Sequence, residues 1–164
     1  MSRQIFEMSN ADPAALVAVR QRCAAAVAKA GMDELEEAWA ALPERPAYVW
    51  LRRPETGLAM VRGRIGGTGA PFNLGEMTMT RAAVQIALPD GATVAGFGHV
   101  AGRNGRHAEL AAALDAMVQH PAWRDAVELQ VVTPLAERHR ARKAAQAAAV
   151  ASSKVEFFTM VRGD

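Results

Sequence analysis

With 164 residues, 51% hydrophobic and 22% charged, the chain has the makeup of a folded protein with a core and not of a disordered or fibrous one. A net charge of +2 argues for neither nucleic acid nor a membrane surface, and aromatics at 5% are too sparse for a base-stacking platform. One cysteine, Cys23, precludes an internal disulfide, and no apolar run suits a leader or a membrane span, so a cytoplasmic location is expected.

Asp12-Pro13 predicts a helix start, an N-cap aspartate followed by proline at the first helical position. Leu16, Cys23, Val27 and Ala30 follow at helical spacing, and Gly31 can end the helix. Asp33 with Glu36 three residues on predicts a second, shorter helix through a capping box. Its apolar face is Leu35, Trp39 and Leu42, and Pro43 stops it. Cys23 reads as a small core residue.

The β region comes next. Residues 47–52 (AYVWLR) read as a strand, Pro54-Glu55 as a turn, and 56–65 as a second strand with Leu58, Met60, Arg62 and Arg64 on one face. Residues 76–87 and 92–101 read as two more strands, joined by a Pro89-Asp90-Gly91 turn and with Phe97 and His99 sharing a face. Short connections favour an antiparallel meander. After the Gly102–Gly105 turn the period changes to helical, with His107, Leu110, Leu114, Met117 and Val118 on one face. Pro121 opens a short segment around Trp123, and residues 128–133 (ELQVVT) are the candidate fifth strand. Residues 135–152 then form a long alanine-rich helix, followed by an apolar tail at 155–161 (VEFFTMV). The expected fold is α+β in a single domain, with an antiparallel meander of four to five strands. Residues 1–43 are its helical amino-terminal part, 47–133 the sheet and covering helix, and 134–164 a carboxyl-terminal arm.

Chemistry-bearing residues are few. Sixteen of the 19 cations are arginines, which suits anion or interface contacts as well as a GC-rich genome. Arg62 and Arg64 stand beside the glycine-rich loop Gly66-Gly67-Thr68-Gly69, and these residues, with Arg103 after the fourth strand, are the candidate anion or interface contacts. The loop lacks the lysine and the following helix of a P-loop and does not fit the dinucleotide fingerprint. His107 and Glu109, near the start of a predicted helix, and Arg81 are the candidate catalytic residues. No HxxxH or HExxH pair exists, so no metal site is expected. The tail residues Phe157, Phe158 and Met160 are candidate partner contacts, because apolar chain ends need cover.

Three segments together resemble a known family: ETGLAMVRGRIGGTGAPFNLGEMTMTRAAV at 55–84, GRNGRHAE at 102–109, and VEFFTMVRGD at the end. They are similar to PhnG, a small subunit of the bacterial carbon–phosphorus lyase system of phosphonate degradation. The resemblance implies work with PhnH, PhnI and PhnL-type partners to displace adenine from ATP and attach a phosphonate at the ribose C1 carbon. It also implies a core complex that includes PhnJ. ATP is then a substrate of the assembly, with no cofactor in this chain. The family points to no catalytic residue here. The residues alone leave two other readings open. One is a stand-alone nucleotide- or phosphate-binding module, and the other a catalytic subunit using His107 and the arginines. A homodimer of the isolated chain is also expected to be accessible.

Overall fold

A computed structural model describes residues 13–88 and 91–152. The first helix, α1, is Pro13–Val27, and α2 is Met32–Ala41. The expected N-cap Asp12 lies outside the described residues. Gly31 does not end α1 but caps α2. Its N–H donates to Glu34 Oε2 at 2.9 Å, so the carboxylate reaching back is Glu34 and not the expected Glu36. Extended backbone at Gly31, φ −70° and ψ 156°, starts the helix two residues before Asp33.

Three antiparallel strands in the order β1-β2-β3 form the sheet among the described residues: β1 Tyr48–Arg64, β2 Pro71–Ala87 and β3 Thr93–Ala101. The expectation of four to five strands is corrected in two places. Residues 47–52 and 56–65 are one strand, not two separated by a turn at Pro54. The register slips between Trp50 and Arg52 and again between Arg52 and Glu55, so two bulges absorb Leu51 and the Arg53-Pro54 pair. A proline can sit in an edge-strand bulge because no ladder hydrogen bond is asked of it. The candidate fifth strand at 128–133 is helical. Pro121–Val127 forms α4, Glu128–Val132 a π-helical turn, and Thr133–Ser152 forms α5. The Thr133 N–H reaches back five residues to the Glu128 carbonyl. Pro134 has no N–H, and its ring would strike the carbonyl four residues earlier in a regular helix. A widened turn just before it relieves that clash and keeps the rod continuous.

The helix α3, Gly105–Met117, lies across one face of the sheet. Against it stand Thr80, Ala82, Val84 and Ile86 of β2 and Gly96, Gly98 and Val100 of β3, all buried. The approach is backbone-close. A Cβ at Gly96 would meet the Ala112 carbonyl at 2.1 Å, and one at Gly98 the Ala108 carbonyl at 2.0 Å. Ala108, Ala112 and Ala116 recur every fourth residue and form the facing stripe. The other side of α3 packs on α1, α2 and α4, so Leu110, Leu114, Met117 and Val118 are fully buried. Each such side chain contributes about 1.5–3 kcal/mol through loss of water contact. Cys23 is buried in the same core, and burial pushes its thiol up to about 12.

Two surfaces are left bare by the described residues. Val49, Leu51 and Phe97 are half exposed or more, and Phe97 and His99 alternate with the β3 residues that face α3. Past the Met79–Ala101 pair β3 has ended, while β1 and β2 run on as a two-stranded ribbon. Leu58 is 68% exposed, Leu74 63% and Ile65 71%, and Met60, Phe72 and Met77 are also exposed. No helix among the described residues is long and apolar enough to cross a membrane.

Candidate functional site

The hydroxyl of Thr80 organises the end of the sheet nearest α3. It lies 3.1 Å from Thr56 Oγ1, donates to the Gly102 carbonyl at 2.7 Å, and accepts the Asn104 N–H at 3.2 Å. Gly102 turns the chain with φ of 87°, a left-handed value that glycine adopts without strain. Asn104 then caps α3, its Oδ1 accepting the His107 N–H at 3.0 Å. Asn104 and Thr80 were not singled out in the sequence, although an asparagine just ahead of a helical period is an N-cap signal.

His107 is buried, and its Nε2 lies 2.8 Å from the carbonyl of Val27, the last residue of α1. A carbonyl only accepts, so Nε2 carries the proton and the ring links two helices. Glu109 turns instead toward β1. It accepts the Tyr48 hydroxyl and pairs with Arg106 at 3.1 Å. Arg106 also bonds Glu36 of α2 at 2.8 Å, which holds that carboxyl below its usual range and raises the guanidinium. Burial first, and then the Glu109 carboxylate, push the Tyr48 phenol up to about 12. Arg81 lies on the far side of the sheet from α3. It donates to Glu55 Oε1 at 2.6 Å, as does Arg52, also at 2.6 Å. Arg52 and then Arg81 hold the Glu55 carboxyl low. In register, Arg81 pairs with His99 on β3. The candidate catalytic residues His107, Glu109 and Arg81 therefore sit in three separate sets of partners and do not converge on one point.

The glycine loop closes the ribbon. Gly66 and Gly67 take φ of 60° and 81°, and the Gly69 N–H bonds the Ile65 carbonyl at 2.8 Å. Arg64 donates to the Gly69 carbonyl at 3.0 Å, so this arginine braces the loop. Thr68 follows Gly67 at the exposed tip. Arg62 and Arg103 have no side-chain hydrogen bond or ion pair among the described residues. The recess at the tip is lined by Arg62, Gly63, Arg64, Gly67 and Pro71 and is open to solvent. No helix follows the loop, so it offers no helix N-terminus to a phosphate; β2 begins at Pro71. Phe157, Phe158 and Met160 lie outside the described residues. Among the described residues no group of three or more histidine, cysteine, aspartate or glutamate side chains is placed to hold a metal ion.

One charged link was invisible in the sequence. Arg20 of α1 forms a two-pronged pair with Asp115 of α3, at 2.9 and 2.8 Å, and Asp115 also accepts the Phe97 N–H at 2.9 Å. It joins α1, α3 and β3.

The sequence is 44% identical, over 151 residues, to the alpha-D-ribose 1-methylphosphonate 5-triphosphate synthase subunit PhnG of Rhizobium meliloti (strain 1021), covering 90% of this chain and 92% of that one. Residues 18–163 match the family described as phosphonate metabolism protein PhnG. The three matching segments named above and the extent of this similarity agree: the chain belongs to the PhnG family of phosphonate metabolism proteins.

Proposed function

We propose that this chain is a non-self-sufficient subunit of an assembly that transfers the ribose triphosphate of ATP to an alkylphosphonate and releases adenine. The observation that carries the reading is a contrast between its polar and apolar groups. The charged and hydrogen-bonding residues first singled out for chemistry, His107, Glu109 and Arg81, each serve a link within the fold. The apolar ribbon, with Leu58, Leu74 and Ile65 at its surface, is left uncovered by the described residues. A two-stranded ribbon standing free in water is only marginally stable, so one with apolar side chains on both faces fits a place between other subunits. PhnH, PhnI, PhnJ and PhnL-type chains are the partners this reading calls for.

The test is co-expression with the remaining subunits, followed by recovery of the assembly and its turnover of ATP with methylphosphonate. A Leu58→Asp/Leu74→Asp chain is expected to fold and to drop out of the assembly. His107→Ala is expected to lower the stability of the chain while turnover by the intact assembly stays within about threefold. Loss of turnover at unchanged stability and assembly would instead put His107 in the chemistry and overturn this division of roles.

A further inference from the structure

The helix α1 packs against the rod formed by α4, the π-helical turn and α5, but the two do not close along their whole length. Between them runs an open trough of ≈ 500 Å³. Its floor is made of small side chains, Ala25 and Ala26 from α1 and Val132 and Ala136 from the rod. Small floors allow another backbone to come close, and a trough between two helices has the shape that takes a third.

The rims are charged. Lys29 stands on the α1 side, and Arg140 and Lys143 on the α5 side. None of the three has a side-chain hydrogen bond or ion pair among the described residues. The neighbouring arginines of the rod are engaged: Arg138 with Glu37 at 2.8 Å, and Arg142 with Glu34 and with the Lys29 carbonyl at 3.1 Å. In a chain whose cations are otherwise arginines, two of its three lysines, Lys29 and Lys143, line this one trough. Glu128 and Glu137 also face it. Arg22 reaches Glu128 Oε1 at 3.4 Å, while Glu128 Oε2 is shielded from water without a donor. That oxygen repels a free polyphosphate, but a docked helix can offer it a side-chain donor.

We propose that the α1–α5 trough seats an acidic amphipathic helix contributed by another subunit of the same assembly. Its carboxylates flank a stripe of small or aliphatic residues and meet Lys29 on one rim and Arg140 and Lys143 on the other. The proposal rests on the reading that the chain works as a subunit. It assigns a contact on the helical layer, away from the apolar ribbon. Beyond Lys143 the rod continues through residues 144–151, all exposed and without a charge, which extends the same alanine surface for the docked helix to follow.

The test uses the full chain and the purified remainder of the assembly. Association is measured at about 0.1 M and at 0.5 M salt for three chains: wild type, Lys29→Glu/Lys143→Glu, and Lys29→Met/Lys143→Met. Arg53→Glu, an exposed change on β1, is the control. Charge reversal is expected to weaken binding by about 30-fold or more at low salt, with the defect shrinking at high salt, and the methionine pair by several-fold, as exposed complementary charges act. The control stays within twofold. If reversal unfolds the chain, the methionine pair decides. Unchanged affinity in the substituted chains, with wild type binding normally, overturns the trough and leaves the subunit reading intact. Failure of the wild-type chain to join the assembly at all overturns the subunit reading and the trough with it. ATP bound by the isolated chain and lost in the methionine pair would assign the trough to a polyphosphate and overturn the proposal, and a wild-type dimer broken by reversal would assign it to a second copy.

Discussion

Adding one methyl group at Gly98 puts the helix-on-sheet contact to a direct test. The Cβ of alanine there would lie 2.0 Å from the Ala108 carbonyl oxygen and 2.8 Å from the Ala112 nitrogen. Ordinary contact begins near 3.4 Å, so α3 must rise from β3 by about 1.4 Å along that line. The struck atoms are helix backbone and cannot rotate aside as a side-chain tip would. A lift of that size forfeits more than a quarter to a half of each dispersion contact along the Ala108–Ala112–Ala116 stripe. Overpacking of a core typically costs about 1–3 kcal/mol, and an obstruction by backbone belongs at or above the top of that range. Against it stands a gain of about 0.4–1 kcal/mol, because alanine restricts the unfolded chain. The net expectation for Gly98→Ala is a loss of about 3 kcal/mol, a large part of the 5–15 kcal/mol that holds a typical domain. For a chain of this length that is a fall in Tm of roughly 6–12 °C. Gly57→Ala is the matched comparison. Gly57 is also in a strand, but its Cβ would meet nothing within 4 Å. It should be neutral or stabilising by a few tenths of a kcal/mol. Urea unfolding followed by tryptophan fluorescence measures both. A loss below 1 kcal/mol for Gly98→Ala with unchanged near-ultraviolet circular dichroism would refute the close-approach argument.

The Arg20–Asp115 link should respond unequally at its two ends. Asp115 has a 10% exposed side chain and Arg20 a 34% exposed one, so removing the arginine strands a carboxylate while removing the aspartate lets the arginine return to water. Arg20→Ala is expected to cost about 2–4 kcal/mol, and Asp115→Ala less, near the 1–3 kcal/mol of an unsatisfied Phe97 N–H; equal or reversed losses in urea titrations would contradict this. Alkaline titration probes Tyr48. Its folded-state value near 12 lies above the ordinary 10, so its stabilising effect is full below pH 10 and is lost as pH rises through 12. Tyr48→Phe should reduce stability at pH 8 and flatten the decline between pH 9 and 11.5, and a parallel decline in both chains would remove Tyr48 from the account.

Much of the chain declared itself locally. The helical period from His107 to Val118 is the buried face of α3, and the face shared by Phe97 and His99 is the side of β3 turned away from α3. Gly91, the last residue of the expected Pro89-Asp90-Gly91 turn, takes φ of 85° where the chain reverses between β2 and β3; Pro89 and Asp90 lie outside the described residues. These features follow from backbone sterics and side-chain period, which act within a few residues. The family was legible too, in three short segments that lie within the matched length.

The rest depended on neighbours far along the chain. Pro54 reads as a strand break, but pairing with β2 on one side supplies enough order to carry β1 through two bulges. The run ELQVVT has strand-like residues, yet it lies between α4 and α5 and continues them as helix. His107, Glu109 and Arg81 look like chemistry when only residue type is known. Their partners Val27, Tyr48 and Glu55 lie 26 to 80 residues away along the chain, so the links they make within the fold could not be read from residue type. Gly96 and Gly98 carry the same lesson. Sequence alone determined that a strand lay there, with Phe97 and His99 on a common face. Only the tertiary structure decided that the glycines alternating with them let a helix backbone come within reach, since closeness of two backbones is a property of the pair and is written in neither segment by itself.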